Sequence, residues 1–184
     1  MWQEIYQQHK NNGLEILSVA LDVQGPKYVE PYTQKAGSQF VTVIDRENIL
    51  GNLYGFKAIP NGYLIDETGV VLYKELTGFN VKSQRTRSLV EEFAISGGIT
   101  NVDHPVAEAI DDAHTAANTH FRTGESLYRL GKTDEAITEW RKAVSLEPDN
   151  YIVRKQIWAV QNPDRFYSGN VDYDWQAEQL AQGL

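Results

Sequence analysis

The chain has 184 residues, 41% hydrophobic and 11% aromatic, enough apolar material for one large folded unit or two small ones. Its net charge of −8 argues against nucleic acid or an anionic membrane surface as a partner, because phosphate binding needs clustered Lys and Arg. It contains no cysteine, so these residues form no disulfide, thiolate nucleophile or Cys-based zinc site. The acidity is uneven: residues 1–97 carry nine basic against eleven acidic side chains, residues 98–184 eight against fourteen. No apolar run approaches the ~20 residues of a membrane helix. Met1-Trp2-Gln3-Glu4 has neither the basic region nor the apolar stretch of a signal peptide, so a soluble, cytoplasmic chain is expected as written.

Trp2, Ile5, Tyr6 and His9 fall on one face of a helix that stops at Asn12-Gly13. Leu14 to Leu21 is nearly all apolar, the pattern of a strand covered on both faces in a parallel sheet. Gly25-Pro26 opens a short helix through Tyr28, Val29 and Tyr32, and Phe40 to Ile44 is a second β-rich run. Ile49, Leu50, Leu53 and Tyr54 give one or two helical turns before Gly55. Tyr63-Leu64-Ile65, the turn Asp66-Glu67-Thr68-Gly69 and Val70 to Tyr73 read as a hairpin. Ser83 is placed to cap a helix carrying Leu89, Val90, Phe93 and Ala94, which Gly97-Gly98 ends. This order predicts an α/β layer fold.

The run Tyr54 to Gly69, with Ile59-Pro60-Asn61-Gly62 inside it, resembles the cis-proline loop and hairpin of the thioredoxin-like redoxins. Those include the TlpA/ResA-type thiol-disulfide oxidoreductases and the AhpC/TSA peroxiredoxin relatives. Gly13 to Asp22 is similar to the strand after their first helix. The resemblance covers about residues 1–97. It implies a cis peptide at Ile59-Pro60, the bond type that proline alone readily allows. It also implies a peptide-binding surface at Ile59, Pro60 and Asn61. Asn61-Gly62 stands where relatives usually carry small hydroxyl residues.

In that family a strand precedes the first helix, and the reactive cysteine sits at the helix N-terminus, where free N–H groups lower a thiol pKa. Here the helix begins at about Met1, so strand and cysteine are expected to lie upstream of these residues. By the resemblance, the absent strand belongs between Leu14–Leu21 and Tyr63–Ile65. Its loss leaves strand edges unpaired unless they join directly, accept a strand from a partner such as a second copy, or tolerate poor stability.

Residues 98–116 read as a linker and a short acidic helix. Gly124, Leu127, Ala136, Trp140, Ala143 and Pro148 then fall on the spacing of a tetratricopeptide repeat, which the chain resembles over about 117–150. Thr133 or Asp134 is the expected cap of its second helix. His120 and Thr123 depart from the usual Trp and Leu. Tyr151 to Val160 suits a further helix, within a helical region ending near 162, and 163–184 reads as an aromatic tail; the stretch from Tyr151 is similar to helical extensions of bacterial redoxin-like proteins. One repeat cannot bury its own face, so it should pack on the first half, on the tail or on a second copy. His120, Arg154 and Lys155 are candidates for a repeat surface that binds protein.

His104, Glu108, Asp111, Asp112, His114 and His120 lie close in sequence, but no metal-binding spacing joins them, and incidental histidines on an acidic helix are the expected reading. No phosphate-binding glycine loop, nucleophile elbow or EF-hand loop is present, so no cofactor or metal is expected. The reading is therefore an α/β thioredoxin-like sheet, incomplete at its N-terminus, followed by a small all-α tetratricopeptide-like domain. Three functions fit it: a cysteine-free protein- or peptide-binding module, an oxidoreductase or peroxidase whose cysteine lies upstream of Met1, and a structural scaffold. A longer parent protein would be compatible with an extracytoplasmic site.

Overall fold

Helix α1, Trp2–His9, buries Ile5 and runs into a tight turn that Gly13 closes at φ 90°. The computed structural model describes residues 1–76, 78–100, 102, 105 and 109–183. Strand β1, Leu17–Ala20, pairs parallel with β2, Val41–Ile44, placing Leu17 opposite Val41 and Ala20 opposite Ile44. Helix α2, Pro26–Ala36, makes the crossover between them. Asp45 accepts hydrogen bonds from the backbone N–H of Ile49 and Leu50, starting helix α3, Ile49–Tyr54. Strands β3, Gly62–Ile65, and β4, Val71–Glu75, then form an antiparallel hairpin. Its turn is fixed locally, because the Asp66 carboxylate accepts from the N–H of Thr68 and Val70 and from the Thr68 hydroxyl. Helix α4, Gln84–Ser96, follows; Ser83 holds its N-cap position, but its side chain makes no capping bond.

These strands make two separate sheets. β1 pairs with β2 and β3 with β4, and no ladder joins the pairs among the described residues. The unpaired edges therefore do not close directly, which removes one of the three outcomes expected from sequence. One helical layer nevertheless serves both: Ile5 of α1 and Val90 and Ala94 of α4 share a core with Leu14, just before β1, and Leu64 of β3. The expected two-sided cover of the first strand is also incomplete. Leu17 is 62% and Val41 61% exposed, because the sheet is only two strands wide and α2 buries none of its own residues.

The second half is helical. Helix α5, Asp112–Arg129, is capped by the Asp111 carboxylate and joins the end of the stretch 98–116 to the repeat without a break at 117. Helix α6, Thr133–Leu146, has Lys132 at its N-cap, so neither Thr133 nor Asp134 caps it. Asp134 and Glu135 instead lie in its first turn, where negative charge complements the helix dipole. Helices α7, Tyr151–Gln161, α8, Asp164–Tyr167, and α9, Tyr173–Ala181, complete the chain, so the tail read as merely aromatic contains two helices. Phe166 and the partly buried Trp175 pack on Trp158.

Ala117, Phe121, Ala136, Trp140 and Ala143 form the repeat core, and Trp140 donates its indole N–H to the Phe121 carbonyl at 3.0 Å. Gly124 is required by this packing: a Cβ there would lie 2.4 Å from Trp140 Nε1 and 2.9 Å from the Ala136 carbonyl oxygen. Gly124→Ala is therefore expected to cost about 1–3 kcal/mol, read as a lower urea midpoint at unchanged slope. Wild-type stability in that variant would show that Trp140 can shift freely.

Candidate functional site

Gly55 ends α3 in the left-handed region, at φ 70°, and the chain turns through buried Phe56 into the loop before β3. Within that loop the Ile59–Pro60 peptide bond is cis. Asn61 Nδ2 donates to the Ala58 carbonyl at 2.7 Å, tying the loop across the proline. Gly62 is buried under Phe79, whose ring would collide with any Cβ at that position. Ile59 and Pro60 are exposed. The resemblance supplied Ile59, Pro60 and Asn61, and they lie together on this loop.

The loop is not isolated. Ile59 and Leu21, which follows β1, line one cavity of about 30 Å³ with Tyr151, Ile152, Lys155 and Gln156 of α7. It is large enough for a water or two and too small for a side chain of any size. One turn of α7 reaches the segment that follows β1 and the loop that precedes β3. On the β1 side, Gln156 donates to the Leu21 carbonyl and accepts from the Val23 N–H, both at 3.0 Å. On the β3 side, the Ile152 N–H donates to the Lys57 carbonyl at 3.2 Å. Val23 itself, 1% exposed, is inserted into the core of the helical repeat.

A polar network secures the same junction. Lys57 Nζ lies 3.0 Å from buried Glu147 and 3.3 Å from Asp149. Its hydrogen bond to Glu147 holds the ammonium above the ordinary lysine value. Glu147 also meets His114 Nδ1 at 2.9 Å and accepts from Asn150 Nδ2. His114 Nε2 lies 3.0 Å from the Gly51 carbonyl, so both ring nitrogens face acceptors inside the protein. Asn48 donates to Asn118 at 2.9 Å, and Arg46 reaches Glu125 at 3.3 Å and the Val23 carbonyl at 2.6 Å. The face of α5 and α7 that a repeat would offer to a partner is thus largely engaged by the chain's own first half.

The remaining sequence candidates do not converge. His120 pairs with Glu139 across α5 and α6 at 2.7 Å, away from the loop. Arg154 Nη2 donates to the Pro148 carbonyl, while Lys155, one residue on, is half-buried beside Ile59. Burial pushes the Lys155 ammonium below its ordinary value. Of the histidine–carboxylate cluster, His104 and Glu108 lie outside the described residues, and Asp111 is committed to capping α5. Among the described residues no group of three or more His, Asp or Glu is placed to hold a metal ion. Sequence reasoning missed Gln156, Val23 and Lys57, whose partners lie some ninety or more residues away.

Residues 117–150 match the model of the tetratricopeptide repeat family. A stretch of 80 residues is 39% identical to the thiol-disulfide oxidoreductase ResA of Geobacillus thermodenitrificans (strain NG80-2), covering 43% of this chain and 44% of that protein. Over 87 residues it is 37% identical to ResA of Geobacillus kaustophilus (strain HTA426), 47% of this chain and 48% of that one. The chain thus spans about half the length of the curated relatives it matches. No solved structure matches it significantly. No helix among the described residues is long and apolar enough to cross a membrane. The class is a thioredoxin-like α/β unit followed by a helical one. More narrowly, the chain is similar to ResA over about half of that protein's length and to the tetratricopeptide repeat over residues 117–150.

The outer side of the junction is held by Asp22, which accepts from the Tyr167 hydroxyl at 2.9 Å and from the N–H of Gln24 and Gly25. Burial outweighs these bonds and pushes the carboxyl above its ordinary value. The folded chain then keeps this proton at a pH where the unfolded chain has released it. Stability from this group therefore falls as pH rises through the window just above the usual carboxylate pKa. Asp22→Asn is expected to make that fall shallower, measured as urea midpoints between about pH 4 and about pH 7. An unchanged slope would contradict the assignment.

Proposed function

We propose that this chain is a thioredoxin-like binding module that accepts an extended polypeptide segment as a strand between β1 and β3, beside the Ile59-Pro60-Asn61 loop. The observation that carries this reading is that, among the described residues, β1 and β3 each join a ladder on one side, in two sheets that share one helical layer. Free N–H and C=O groups on a strand edge bind another strand without regard to most of its side chains. Having no cysteine, the chain forms no mixed disulfide through its own side chains.

A second reading is favoured by the name of the relatives. In it the segment that fills the gap carries the cysteine, and the assembled sheet is a thiol-disulfide oxidoreductase. The same geometry serves both, since Lys155 and Ile59 of the proline loop line one cavity with Leu21, which follows β1.

One experiment separates them. A synthetic peptide of six alternating apolar residues ending in Cys-Pro-Pro-Cys is added to the chain. Hydrogen exchange is followed at β1 and β3, and insulin reduction by dithiothreitol is timed. Slowed exchange at both strands is expected in either reading. A rate above that of the peptide alone supports the enzyme, and protection without a rate gain supports the binding module. Protection at neither strand would remove both.

A further inference from the structure

Along α2 lies a groove of about 330 Å³, lined by Lys27, Tyr28, Pro31, Tyr32 and Lys35 and closed by Tyr167 and Gly169. Its aromatic walls are fixed in place. The Tyr32 hydroxyl donates to the Phe166 carbonyl at 2.6 Å, and the Tyr167 hydroxyl is held between Asp22 and Gln24. The Tyr28 and Tyr167 rings lie 4.4 Å apart. The groove therefore exists before anything binds, which lowers the ordering cost of binding.

Its charge is opposite to that of the molecule. Among the described residues Lys27 and Lys35 make no ion pair, on a chain with 25 acidic and 17 basic residues. Lys27 lies 5.7 Å from the centre of the Tyr28 ring. The nearest acid on the helix, Glu30, accepts from Gln34 rather than from either lysine. Eight residues of α-helix separate the two ammonium-bearing positions by about 12 Å. A polyproline II strand advances about 3.1 Å per residue, so about four of its residues span the same distance. Aromatic-lined grooves are the surfaces that seat such strands.

From these features we infer that the groove docks an extended, proline-containing acidic peptide. Two carboxylates four residues apart meet Lys27 and Lys35, and the proline or aromatic residues between them lie against Tyr28, Tyr32 and Tyr167. Two lysines suit a pair of carboxylates, whereas a phosphate-rich surface needs a wider cluster of basic residues than these two supply. This inference is independent of the gap between β1 and β3.

The probe is a fluorescein-labelled, capped ten-residue peptide with Asp-Pro-Pro-Tyr-Glu at its centre, titrated into the full chain by fluorescence anisotropy. Its twin carries Asn and Gln in place of the two acids. The acidic peptide is expected to bind at least about tenfold more tightly than the twin, a difference that shrinks as salt rises. Lys27→Glu combined with Lys35→Glu is expected to weaken it by a similar factor. Both lysines are exposed, so circular dichroism of this variant should match the wild type. A second variant, Tyr28→Leu, should weaken both peptides alike. Equal binding of the two peptides, wild-type affinity in the charge-reversed variant, or no binding at millimolar peptide would each overturn the assignment. So would tighter binding to phosphatidylserine vesicles than to the acidic peptide.

Discussion

The structure depends on a helix from one half reaching the segments beside two strand pairs in the other. A single tetratricopeptide-like repeat has an apolar face and no neighbouring repeat to cover it. Two two-stranded sheets, for their part, are too narrow to be stable alone. Each deficit is met by the other half. Val23 enters the repeat core, Gln156 satisfies the backbone beside it, and Ile152 takes the carbonyl of Lys57. Because Ile152 and Gln156 are one turn apart, α7 ties the β1 side to the β3 side across the gap.

This arrangement changes what the repeat can do. The candidate protein-binding face of a free repeat is here largely occupied by Arg46, Asn48, Gly51 and Lys57 of the same chain. Partner binding then shifts to what the docking leaves open: the strand edges beside the proline loop, and the tyrosine-lined groove that α2 and the segment after α8 make together. Lys155 illustrates the shift. In sequence it reads as part of a repeat surface, yet in the fold it borders the cavity next to Ile59.

What was legible in the sequence was local. The Asp66–Gly69 turn and the small residues of the repeat announce themselves because their physics is completed within a few residues, whereas the proline loop was read from the resemblance. The repeat match over 117–150 falls on the residues that the spacing of Gly124, Ala136 and Trp140 marks out. Caps were less legible, since Ser83 makes no side-chain bond and α6 starts from Lys132. The helices after Pro163 were hidden because Asp164–Tyr167 is a single turn and the segment before Tyr173 is rich in Gly, Asn and Asp. The junction was not legible at all. Gln156 has no pattern that names Val23, 133 positions away, as its partner.

The central claim is that the helical half holds the two half-sheets in place. Its most direct test is the urea unfolding of residues 1–97 alone, followed by far-ultraviolet circular dichroism beside the whole chain. The account predicts a sharp transition for the whole chain and none for the fragment. A fragment that unfolds cooperatively at the whole chain's midpoint would contradict it.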